Sequence, residues 1–130
     1  MDAKVVDHII DLMSGEFGKE APLTVNKDKV HKYLGMTFDF TEKGSVTIDM
    51  SEYVKTVIAE MPEDMRGKAA TPAAKHLFDV REQPVPVVQE KADIFHKMVM
   101  QLQYLSQRAR PDIRTAVSFL CKRVSAPDED

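Results

Sequence analysis

The chain has a single cysteine, Cys121, which excludes an internal disulfide, and no cysteine–histidine cluster at metal-ligand spacing accompanies it. No stretch approaches the roughly 18 apolar residues of a membrane span, and Met1-Asp2-Ala3-Lys4 lacks the apolar core of a secretory leader. These absences are read as a reducing, intracellular setting with no membrane partner. Signatures of catalysis are also missing. Gly35 and Gly44 do not build a phosphate-binding loop, and neither Gly-x-x-x-x-Gly-Lys nor Gly-x-Ser-x-Gly occurs. Cys121 falls on the apolar side of a helical stripe, which reads as packing and not as a nucleophile. His8, His31, His76 and His96 are scattered. Glu63-Asp64 follows Pro62 in loop-like sequence and is read as structural. No residue is assigned a catalytic or metal-binding role.

What is present is enough for one domain. The 130 residues are 43% hydrophobic and 30% charged, which permits a real core. The net charge of −3 conceals an uneven distribution. From His96 to Ser125 the bases Lys97, Arg108, Arg110, Arg114, Lys122 and Arg123 face one acid, Asp112. A local excess of positive charge of this kind suits an anionic partner.

The periodicity predicts an α+β fold. Val6, Ile9, Ile10, Met13 and Phe17 are spaced for an amphipathic helix over about 3–15, with Asp2 as its N-cap. Residues 22–26 are expected to form a short edge strand. In residues 29–50, Leu34, Met36, Phe38 and Phe40 alternate with polar or small residues, as do Val46, Ile48 and Met50. This predicts a β-hairpin turning at Thr41 to Gly44. Gly35 inside its first arm marks a bulge or a place where another chain's backbone comes close. Ser51 is expected to cap a helix buried through Tyr53, Val54, Val57, Ile58 and Met61 and stopped at Pro62. Residues 63–87 read as loop, with a helical turn near 73–78. A long helix over about 88–107 follows, and Pro111 opens another that carries Ile113, Ala116, Val117, Leu120, Cys121 and Val124 and is ended by Ala126-Pro127. The last two helices are expected to pack together.

Two groups are candidates for nucleic-acid contact. Arg108, Arg110 and Arg114 cluster where one helix hands over to the next, and guanidinium groups there suit phosphates. The alternative is that Arg110 and Asp112, or Arg108 and an acid on a neighbouring helix, stitch that junction. Tyr33, Leu34, Gly35 and Met36 form the second group, with ordinary strand packing as the alternative.

The order of the motifs carries a family resemblance. Phe17-Gly18-Lys19, then Tyr33-Leu34-Gly35-Met36 with Gly44 in the turn, Tyr53, Ala70-Thr71-Pro72-Ala73, Tyr104-Leu105, Arg108-Ala109-Arg110-Pro111-Asp112-Ile113 and Ala116-Val117 follow one another. This set resembles copia-type retrotransposon reverse transcriptases, with Ala109 where the family usually has threonine. The resemblance implies the end of the palm with a primer-grip hairpin over 1–50, and a helical thumb with the start of the connection toward ribonuclease H over 51–130. It implies that Tyr33, Leu34, Gly35 and Met36 hold the primer strand while the arginines support an RNA–DNA or DNA duplex. It also implies a cytoplasmic particle or the nucleus as location.

The magnesium-binding aspartates of the complete polymerase are expected upstream of Asp2. The chain is therefore expected to be non-catalytic alone and to bind no cofactor itself. Without the rest of the enzyme, the hairpin's apolar face and the first helix would lack neighbours, leaving the chain unstable or prone to associate. The alternatives are a host-retained module that binds nucleic acid or protein, and a decayed element without function.

Overall fold

The computed structural model describes residues 3–65 and 67–129, with Asp64 described by its backbone only. Four α-helices and one three-stranded antiparallel sheet make up an α+β fold. Among the described residues, no helix is long and apolar enough to cross a membrane.

Helix α1 spans Ala3–Phe17, two residues beyond the predicted end, and closes with Gly18 N–H donating to Ser14 O at 2.9 Å. The Asp2 cap lies outside the described residues. None of the residues of α1 is buried. The predicted edge strand over 22–26 does not form; this segment has no regular secondary structure and joins no sheet. Pro22 lacks a backbone donor, and near the segment's end the Asp28 amide is taken by the Asn26 side chain at 2.8 Å. Lys27 reaches back to Asp7 of α1 at 2.6 Å.

The predicted single hairpin is in fact a three-stranded meander. Strand β1 (Val30–Tyr33) pairs with β2 (Met36–Asp39), and β2 pairs with β3 (Thr47–Asp49). Tyr33 stands opposite Met36, so the chain reverses at Leu34-Gly35 and does not run straight through them. Both turn residues have positive φ, 49° at Leu34 and 75° at Gly35, as a type I′ turn requires. The second reversal is the one the sequence announced. Asp39 accepts from the Thr41 amide at 2.8 Å and from the Thr41 hydroxyl, and Gly44 sits at φ 87°.

Helix α2 (Ser51–Glu60) starts directly after β3. Ser51 is its first helical residue and not its cap. The capping carboxylate is Asp49, which accepts from the Ser51 amide at 2.9 Å and the Ser51 hydroxyl at 2.6 Å. Short 3-10 turns at Glu63–Met65 and Lys75–Phe78 interrupt the long connection to α3 (Gln89–Arg108). Pro111–Ile113 forms a 3-10 turn before α4 (Arg114–Cys121), which packs on α3 as expected but stops short of Ala126-Pro127, because the Lys122 and Arg123 amides turn to the Phe119 and Leu120 carbonyls three residues back.

The core lies between sheet and helices. Met36, Met50 and Leu105 are buried together, with Phe38, Tyr53, Val54, Tyr104 and Ile113 packed around them. Val57, Met98, Val99, Ala116 and Val117 are buried as well. At the far end, the tail returns to the connection. Glu129 N–H donates to Val85 O at 3.0 Å, Pro86 bridges Asp128, and Arg123 pairs with the buried Asp128 carboxylate.

Candidate nucleic-acid interface

The tip of the β1–β2 hairpin is built to project. A two-residue turn leaves no room for its side chains to fold back, and Tyr33 and Leu34 are 64% and 62% exposed. Met36 differs: it is only 9% exposed and packs beneath Met50 and Leu105. Of the four hairpin residues singled out from sequence, three are therefore at the surface and the fourth supports them from the core.

Two tyrosines hold this tip against the helices. A Cβ at Gly35 would lie 3.0 Å from Tyr53 Cδ2, so this glycine is neither a bulge nor the approach point of another backbone: it is a turn residue crowded by an aromatic ring of the same chain. Tyr53 in turn donates to Gln101 O at 3.2 Å and packs on Tyr104 with ring centroids 5.2 Å apart. Burial is the main cause that pushes the Tyr53 hydroxyl pKa up. The Tyr104 hydroxyl donates across to the Leu34 carbonyl. Glu60 of α2 accepts from Gln101 at 2.8 Å and pairs with Lys97 at 3.0 Å, which ties α2 to α3 behind the tyrosines.

The arginines divide. Arg108 lies 3.8 Å above the Tyr104 ring centroid and donates to Tyr104 O at 3.2 Å. The stack holds the guanidinium in place while the residue stays exposed. Arg110 makes a bidentate pair with Asp112, at 2.8 and 2.7 Å, and holds that carboxyl below the usual range. The stitching alternative therefore holds for Arg110, whereas Arg108 uses an aromatic face and a carbonyl in place of an acid. Arg114 is exposed at the start of α4.

An open groove of about 390 Å³ runs beside the turn, lined by Leu34, Gly35, Tyr53, Met100, Gln101 and Tyr104. A second, of about 360 Å³, shares Leu34, Gly35 and Tyr53 and continues along the hairpin to Lys32 and Thr56. Sequence reasoning quoted Tyr53 and Tyr104 without assigning them to the site. The signal that pointed to them was Gly35, whose missing side chain makes room for a ring.

Among the described residues, no three His, Cys, Asp or Glu side chains are grouped to hold a metal ion. No protein-family model matches the chain, and neither the curated proteins nor the solved structures contain a match to it.

Proposed function

We infer that the chain supports a primer–template duplex, as the hairpin-and-helix part of a polymerase of the copia reverse-transcriptase type, and does not polymerise by itself. One observation carries this reading. The Tyr104 hydroxyl is bonded to the hairpin tip while its ring carries Arg108, so an exposed β-turn and a stacked cation are joined through one side chain. A sugar-phosphate backbone lying along the turn meets apolar Tyr33 and Leu34 on one side and the guanidinium of Arg108 on the other. Contacts of this type position a duplex without reading its sequence. Arg114 adds charge at the next helix start. Arg110 contributes less, because Asp112 already neutralises it.

Fluorescence anisotropy with labelled RNA–DNA and DNA duplexes tests the reading. Binding is expected to weaken with salt, with a log–log slope of about −2 if two phosphates are neutralised. Arg108→Ala is expected to weaken binding about tenfold and Arg114→Ala several-fold, with Arg110→Ala having the smallest effect. No nucleotide incorporation is expected on a primed template with magnesium. Salt-insensitive binding, no binding, or measurable incorporation overturns the proposal.

A further inference from the structure

The β1–β2 turn ends in a side chain that is both exposed and held still. Leu34 is 62% exposed at φ 49°, a left-handed conformation that leucine seldom adopts. Its carbonyl accepts from the Tyr104 hydroxyl, the Tyr53 ring crowds Gly35 beside it, and Met36 anchors the start of β2 in the core. The tip is therefore a fixed apolar point.

Open space lies on both sides of this point. The grooves of about 390 and 360 Å³ have only Leu34, Gly35 and Tyr53 in common, so these three residues form the partition between them. Both volumes stand at the small end of the roughly 300–1,000 Å³ of ligand sites, which suits a single ring system in each. The first groove offers the rings of Tyr53 and Tyr104 and the soft side chain of Met100, and the second adds Tyr33. A cation stands beside each: Arg108, 3.8 Å above the Tyr104 ring centroid, and Lys32. Glu52 also lines the second groove, but Lys55 pairs with it at 2.7 Å.

We propose that Leu34 is a wedge that enters a base step of the bound duplex, the two bases it parts being received one in each groove; this rests on the duplex reading above. An aliphatic side chain driven between base steps is a recurrent means of unstacking and kinking a duplex. The wide, shallow minor groove of an RNA–DNA hybrid admits a two-residue turn, whereas its deep, narrow major groove does not. Parted bases expose flat faces that stack on aromatic rings whatever their identity, and Arg108 and Lys32 meet the phosphates on either side of the opened step. A wedge works only if it does not yield, and the Tyr104 bond and the Tyr53 contact supply that resistance at the turn. The preferred occupant is a step that opens at low cost, such as a mismatch or a pyrimidine–purine step.

Fluorescence anisotropy on the full chain tests the wedge, with a matched RNA–DNA duplex and the same duplex carrying one central mismatch. Unstacking costs least at a mismatch, so wild type is expected to bind the mismatched duplex about tenfold more tightly. Leu34→Asn suits the turn, but its short polar side chain does not hold a step open, and it is expected to bind the two duplexes equally. Leu34→Met restores a long apolar side chain and is expected to keep the preference. A second measurement uses the unaltered protein: energy transfer between dyes at the two ends of the matched duplex should rise on saturation, from a kink of at least about 20°. Equal wild-type affinities, a preference that survives in Leu34→Asn or is lost in Leu34→Met, or unchanged energy transfer overturns the wedge and leaves the duplex reading in place. No binding to either duplex removes both.

Discussion

Leu34 occupies a backbone conformation that branched, bulky residues rarely take, with φ at 49°, while its side chain is 62% exposed. A left-handed position costs an ordinary residue about 1–2 kcal/mol, and asparagine or glycine occupies it far more easily. Retaining leucine there makes sense when the projecting side chain has work to do at the tip. Leu34→Asn is therefore expected to raise stability by about 1 kcal/mol in urea denaturation while weakening duplex binding several-fold. A variant that is less stable, or that binds as tightly as before, contradicts this account. The sequence marked Gly35 as a special position but not Leu34. The reason is geometric. Hydrophobic alternation over 34, 36, 38 and 40 reads the same whether or not the chain reverses at 34–35. Only the pairing of Tyr33 with Met36 shows that Tyr33 shares a face with Met36.

At the scale of elements, the helices follow the sequence closely because a helix's pattern is local, and α1, α2 and α3 appear where their apolar spacing placed them. The strands followed less well, since a strand exists only where a partner supplies its ladder. Residues 22–26 found none. Helix starts also depend on side-chain geometry. Asp49, one residue before Met50, does the capping expected of Ser51, and the Ser51 hydroxyl and amide hold its carboxyl pKa below the usual range. The Thr41 contacts do the same for Asp39 at the other turn of the sheet. A carboxylate whose pKa is depressed on folding adds stability above its unfolded value and loses it as pH falls through the folded value. Thermal stability is thus expected to drop below about pH 4. Asp49→Asn should be less stable than wild type near neutrality, with a flatter acid limb. Parallel pH profiles for the two proteins count against Asp49 as the source.

Over the whole molecule, the C-terminal tail closes onto the connection between α2 and α3. Asp128 is a nearly buried carboxylate, 5% exposed, and Arg123 from the end of α4 neutralises it while the backbone of 127–129 pairs with 85–87. Removing Arg123 takes a counter-charge away from a nearly buried carboxylate. Arg123→Ala is expected to cost about 2 kcal/mol and to speed proteolysis within residues 84–87 and the tail. Unchanged denaturation and digestion would show the clasp to be incidental. This clasp was invisible in the sequence, where residues 63–87 read as loop.

The sequence by itself determined the fold class, the positions of the helices, the polar β2–β3 turn and the basic character of the α3–α4 junction. Each of these rests on residue spacing or composition within a short window. Tertiary structure alone decided that Tyr104 joins the hairpin tip to Arg108, that Asp112 engages Arg110, that Met36 lies beneath the tip, and that the faces of α1 and the outer sheet stay open. These depend on which distant segments meet in space. That is settled by how the whole chain fills its core and pairs its polar groups, and no local pattern records it.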